Sequence, residues 1–189
     1  MRDRRELVLG AAAVLTAAGF GKTLLSEARA AERPAQFAKL GQRIPKFQAP
    51  LLGGGVLRDG DFKGKWSVVL FWGAWCPDCV ADAPHTAALA RAIAQDPSLR
   101  FLTVHVDNRF GRWKGIKEFY AEQGFSLPTA LDPERAVFKA WGVTWTPTYL
   151  VVGPDRVIRD FRTDFSVLPG DQGIKQYLRD IAALKASKP

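Results

Sequence analysis

Residues 67–79 read SVVLFWGAWCPDC, and the rest of the chain is best understood outward from them. Ser67 to Trp72 is a continuous apolar run of strand length, as expected of a strand buried on both faces. Pro77 to Gln95 is then Ala-rich and reads as a helix, with Pro84 expected to kink it. Cys76 and Cys79 therefore stand where a helix begins, directly after a buried strand. Unpaired backbone N–H groups and the positive end of the helix dipole stabilise a thiolate there. Cys76 is accordingly expected to have a lowered pKa and to be the attacking sulfur. Pro77 suits the first helical turn, where its missing N–H costs nothing. Cys79 lies one turn on and on the same helix face, within reach of Cys76. One thiol can attack a partner's disulfide while the second resolves the mixed disulfide.

Downstream, Arg100 to Val106 (RFLTVHV) reads as a second buried strand, and Trp113 to Gln123 as a helix stopped by Gly124. Pro133 to Trp141 is expected to form a short helix ended by Gly142. Thr148 to Val152 and Val157 to Phe161 read as strands joined by the turn signal Gly153-Pro154-Asp155. Gly173 to Lys185 is an amphipathic closing helix. Upstream, Gly41 to Asp61 alternates short apolar pieces with Pro45, Pro50 and Gly53-Gly54-Gly55, which suggests a hairpin or irregular strands. Strand, helix, strand, helix, hairpin and final helix describe an α/β layer structure with a mixed sheet.

The N-terminus reads as an address. Arg2, Arg4 and Arg5 precede a short apolar run from Leu7 to Phe20, and Ala28-Arg29-Ala30 offers small residues at a cleavage site. The run falls short of the ~20 residues a membrane-spanning helix requires. Arg4-Arg5 followed by Glu6-Leu7-Val8 resembles the twin-arginine export motif. Residues 1–30 are thus expected to be a signal peptide and 31–40 a tether, with residues 41–189 forming the domain. The ordinary secretory route and an uncleaved N-terminal anchor stay open.

The net charge is +8, with Lys and Arg scattered rather than clustered, which points to a solvated basic surface instead of a nucleic-acid site. Only two cysteines are present, three positions apart, so they are unlike a disulfide scaffold. A zinc site using Cys76, Cys79, His85 and His105 is arithmetically possible. Zinc modules, however, place their histidines three to five residues apart, and the second histidine here sits on a strand. Val80 stands where c-type haem attachment needs histidine. His105 is expected to be satisfied locally and His85 to lie on the helix surface. The sequence holds no glycine-rich phosphate loop and no Ser/His/Asp set.

FWGAWCPDC, followed by Asp82 and Pro84, resembles the thioredoxin superfamily, and within it the TlpA/ResA-like exported reductases. Those proteins carry an acidic residue three positions after the second cysteine and a proline five positions after it, and Asp82 stands here for the usual Glu. Gly41 to Pro50, Phe62-Lys63-Gly64-Lys65, Gly142-Val143 and Thr146-Pro147-Thr148 resemble further family segments. The resemblance implies a three-layer fold with a central mixed β-sheet and an N-terminal hairpin extension. It implies that Pro147 is cis and faces the active-site sulfurs, with the Thr146 backbone pairing to an incoming peptide. It also implies that Asp82 occupies the acidic position near Cys79 and takes the proton of the resolving thiol. The buried acid that thioredoxins carry in the preceding strand is replaced by Leu70. Asp78 should disfavour the Cys76 thiolate and lean the pair towards reduction. Trp75 and Trp145 are expected to line a peptide-docking surface.

The resemblance implies a periplasmic thiol–disulfide oxidoreductase that reduces protein disulfides. Its only redox group would be the Cys76–Cys79 disulfide, with no separate cofactor or metal, and a membrane-bound thiol donor would supply electrons. Apocytochrome c maturation is one task of the family. A thiol oxidant or peroxidase, and a copper- or zinc-handling binding protein using the same sulfurs, stand as alternatives; the lone Met1 and the separated histidines disfavour the last.

Overall fold

The computed structural model describes residues 37, 39–167 and 170–187. The stretch read as an export signal, residues 1–30, lies outside them, as does most of the tether.

The first elements among the described residues form a short antiparallel hairpin, β1 (Gln48–Pro50) and β2 (Val56–Arg58), paired Gln48 to Arg58. A 3₁₀ turn (Asp59–Phe62) leads into β3 (Trp66–Trp72), α1 (Pro77–Ile93), β4 (Leu99–Val106), α2 (Ile116–Gln123) and β5 (Thr129–Asp132). Then follow α3 (Ala136–Ala140), β6 (Thr148–Val152), β7 (Ile158–Arg162) and α4 (Gln172–Ala186). The main sheet has the order β5-β4-β3-β6-β7. Strands β3, β4 and β5 run parallel, whereas β6 pairs antiparallel with both β3 and β7. The mixed sheet is the one expected.

β3 lies at the centre and reads as an unbroken apolar run because both of its faces are covered. Val68, Leu70 and Trp72 point to one side, into a core shared with α1, α2 and α4. Val69 and Phe71 point to the other, where Phe62, Phe138 and Trp141 pack beside residues of the N-terminal hairpin. Three layers result. The hairpin is joined to the main sheet, since Leu52 N donates to Thr129 O at 2.9 Å and Leu51 bridges to Ala130. Phe37, within the stretch read as tether, is buried on this side with its ring 5.7 Å from Phe161.

Most elements match the expected bounds to within two residues, and three depart further. β5 was not anticipated. α2 begins at Ile116 rather than Trp113 because extended backbone at Gly115 precedes it. α3 begins at Ala136 rather than Pro133, with both Asp132 carboxylate oxygens accepting the Val137 and Phe138 N–H groups.

Candidate active site

The site forms where β3 ends and α1 begins. Cys76 has extended backbone and acts as the N-cap of α1, its sulfur accepting the Cys79 N–H at 3.3 Å. A sulfur in the N-cap position takes one of the N–H groups that a helix start leaves unpaired, so negative charge is favoured there. Pro77 occupies the first turn. The loop between strand and helix is tight. A side chain at Gly73 would run into the Trp75 indole, at 2.4 Å from Nε1, so only glycine lets that ring fold back across the loop. Trp75 Nε1 in turn donates to Val106 O at 3.2 Å.

The Thr146–Pro147 peptide bond is cis, as expected, and it brings Thr146 against the redox pair. The Cys76 thiol donates to Thr146 O at 3.4 Å. Both cysteines are free and buried, with 5% and 4% of their surface exposed. Their environments nevertheless separate them. Hydrogen bonding from the Cys79 thiol, supported by the Thr146 side chain and the Cys79 N–H, pulls Cys76 from 9.0 down to about 7 against the opposing effect of burial. Asp78 opposes this as anticipated, yet it is the weakest of the influences named. Burial pushes Cys79 well above 9.0, and the neighbouring Cys76 sulfur adds to that. The arrangement can therefore hold one ready thiolate and one protonated reserve thiol.

Asp82 lies on the buried face of α1, one turn beyond Cys79, with 0% exposure. Its Oδ1 accepts the Phe165 and Ser166 N–H groups at 2.7 and 2.9 Å. Its Oδ2 accepts the Tyr149 hydroxyl at 2.5 Å. Burial pushes the carboxyl up from 3.8 to about 7, against the lowering effect of Tyr149 and the two amides. An acid so placed can exchange a proton near neutral pH. Tyr149, which the sequence reading did not single out, also meets the Thr86 hydroxyl at 2.7 Å. Thr86 and Cys79 share the wall of a narrow cavity of about 10 Å³, together with Leu70, Trp72, Thr103 and Pro147. Leu70 thus contributes an apolar wall where thioredoxins carry an acid.

Of the residues expected at the site, Trp75, Cys76, Pro77, Asp78, Cys79, Asp82, Thr146 and Pro147 all lie in this region. Trp75 and Trp145 are half-buried beside it. His85 is partly exposed on α1, whereas His105 is buried at the end of β4. Among the described residues no group of three or more His, Cys, Asp and Glu side chains could hold a metal ion.

The comparisons with known proteins agree with this geometry. The family model of the AhpC/TSA family matches residues 40–161. The chain is 29% identical over 143 residues to the thiol-disulfide oxidoreductase ResA of Geobacillus thermodenitrificans, covering 75% of this chain and 78% of that one. It is 24% identical over 110 residues to the soluble secreted antigen MPT53 of Mycobacterium tuberculosis, covering 58% and 60%. Among solved structures it is similar to dsbF of M. tuberculosis, with a TM-score of 0.58 at 26% identity over 73% of this chain and 94% of that one. With a thioredoxin-like fold, a paired-cysteine helix start and a match over residues 40–161, the chain belongs to the AhpC/TSA family, as a thiol–disulfide oxidoreductase similar to ResA.

Proposed function

We propose that the protein is exported to the periplasm and there reduces protein disulfides, using Cys76 and Cys79 as its only redox group. The observation that carries this reading is the unequal placement of the pair: the Cys76 sulfur caps α1 and accepts the Cys79 N–H at 3.3 Å, whereas Cys79 lies behind it on the buried face of the helix. Hydrogen bonding from Cys79 at the helix start pulls the Cys76 thiol down and burial pushes Cys79 up, which suits an attacking thiolate backed by a protonated resolving thiol. The N-terminal Arg4-Arg5 pattern and the name of the secreted relative support export. Among the described residues no helix is long and apolar enough to cross a membrane.

The reaction then runs in two exchanges. The Cys76 thiolate attacks one sulfur of a substrate disulfide, forming a mixed disulfide and releasing the first substrate thiolate, which takes a proton from solvent. Cys79 gives up its proton towards Asp82, by way of the Thr86 and Tyr149 hydroxyls, and attacks the Cys76 sulfur. The second substrate sulfur leaves as a thiolate and takes a proton; the substrate has then gained two electrons, which the Cys76 and Cys79 sulfurs gave up in forming their own disulfide. A membrane-bound dithiol donor restores the reduced state. The Thr146 backbone beside cis-Pro147 pairs with the substrate peptide, Trp75 and Trp145 flank it, and Pro77 and Asp78 tune the helix start.

The test is a trapping experiment with Cys79→Ser and a disulfide-bonded peptide. The variant should accumulate a one-to-one mixed disulfide through Cys76, and Cys76→Ser should form none. Trapping through neither cysteine, or cycling that survives both changes, would remove this reading.

A further inference from the structure

His105 ends β4 with 1% of its surface exposed, wedged between the edge of Trp72, 5.0 Å away, and the stacked ring of Phe110, 5.4 Å away. A buried imidazole has to satisfy both of its nitrogens. Nδ1 lies 3.1 Å from Asp107 O, and Nε2 lies 3.1 Å from the Ala74 nitrogen. The Asp107 carbonyl can only accept, so Nδ1 carries the proton; Nε2 is then a lone pair, and Ala74 N–H donates to it. One neutral tautomer satisfies both contacts. Ala74 belongs to the loop that delivers Cys76.

We propose that His105 is a positioning residue for the redox loop: by accepting the Ala74 N–H it holds residues 73–75 against the end of β4, and so sets where the Cys76 sulfur sits. This inference rests on the reading of Cys76 as the attacking thiolate. The surrounding contacts show the loop gripped on its other side as well. Trp75 donates to Val106 O, and the Arg109 guanidinium lies 3.9 Å above the Trp75 ring while pairing with Asp107 at 2.9 Å. Gly111, at φ +60°, packs so closely that a side chain there would stand 3.1 Å from Ala74 O. Cys76 N closes the same turn onto Gly73 O at 3.0 Å. The Cys76 sulfur meets the Cys79 N–H and Thr146 only from this loop position, so slack at Ala74 is transmitted to the thiolate. Burial also pulls the His105 pKa down to about 4, which keeps Nε2 an acceptor across the working range.

Three variants and one observation on the parent protein test this. His105→Phe keeps the shape of the ring without an acceptor. His105→Asn can still reach Asp107 but not Ala74. His105→Gln puts an amide oxygen near the Nε2 position. The readout is the pH profile of Cys76 alkylation in the reduced protein, with folding checked by urea. Phe and Asn should lose about five-fold in Cys76 alkylation rate near neutral pH, the result of a thiolate pKa about one unit higher, and Gln should restore most of it. Parental profiles in Phe and Asn, or equal loss in Asn and Gln, would overturn the proposal. Should Phe fail to fold, Asn and Gln decide between themselves. In the parent protein, NMR should show a through-hydrogen-bond ¹⁵N–¹⁵N coupling between Ala74 N and His105 Nε2, and its absence would also overturn the proposal. If instead Cys79 alkylates before Cys76 in the parent, it is the reading of the attacking thiolate that fails.

Discussion

Replacing Asp82 with asparagine should make the reduced protein more stable in mild alkali and less able to finish its reaction. The carboxyl is fully buried and titrates at about 7 in place of 3.8. Between those values the folded protein keeps a proton that the unfolded chain releases. The unfolded state therefore binds fewer protons, and stability falls as pH rises. The favourable contribution is complete below the unfolded value and is lost as pH rises through the folded one. At 1.36 kcal/mol per pH unit the whole loss is about 4 kcal/mol. Asparagine has no charge to bury. Its side-chain oxygen can still accept the Phe165 and Ser166 N–H groups, and the Tyr149 hydroxyl can turn to accept from the amide. Urea unfolding of parent and Asp82→Asn, both reduced, near pH 4 and near pH 8 gives the test. The stability difference should move by about 4 kcal/mol in favour of the variant between the two conditions. The same variant should make the first attack normally and resolve the mixed disulfide about 10²–10⁴-fold more slowly. Parallel stability curves over that range would refute the reasoning, because Asp82 would then titrate as an ordinary carboxylate.

Tyr149→Phe removes the donor to Asp82 Oδ2. A hydrogen bond to a charged group is worth about 1.5–3 kcal/mol, so the pH midpoint of the resolving step should move up by about one to two units; an unmoved midpoint would separate the step from Asp82. Gly111→Ala forces a side chain into a left-handed position 3.1 Å from Ala74 O, and should cost about 1–3 kcal/mol in urea unfolding. Unchanged stability would show that the loop yields. Asp78→Asn takes away a charge that raises the Cys76 pKa, so the alkylation profile of Cys76 should shift slightly towards acid, and a shift towards alkali would reverse the sign argued for Asp78.

The central elements were legible because their signals are local. A continuous apolar run marks β3, and Pro77 beside two cysteines marks the helix start. Thr148 to Val152 carries its own turn on one side. β5 was missed because Thr129–Asp132 is four residues long and shows no periodicity; it becomes a strand by pairing with Thr103 to Val106 on β4. The burial of Asp82 was out of reach for another reason. Its partners Tyr149 and Phe165 are 67 and 83 residues away, and only the folded sheet brings them to α1. Asp82 was singled out only through the family resemblance, which has an acidic residue three positions after the second cysteine. His105 was read as a residue satisfied locally, which is half of its situation. The Asp107 carbonyl is local, whereas Ala74 is reached only through the parallel pairing of β3 with β4.

On the proposed function, the buried acid, the unequal thiols and the cis-proline loop act together, with a place for each proton before the electrons move. The stability cost at Asp82 is the kind expected where a site is built for chemistry rather than for packing. The most direct test of the account is the equilibrium reduction potential of the Cys76–Cys79 pair, measured by redox titration of the protein at neutral pH. A value near about −270 mV is predicted, that of a thioredoxin-like reductant; a value near about −120 mV would make the protein an oxidant and contradict the account.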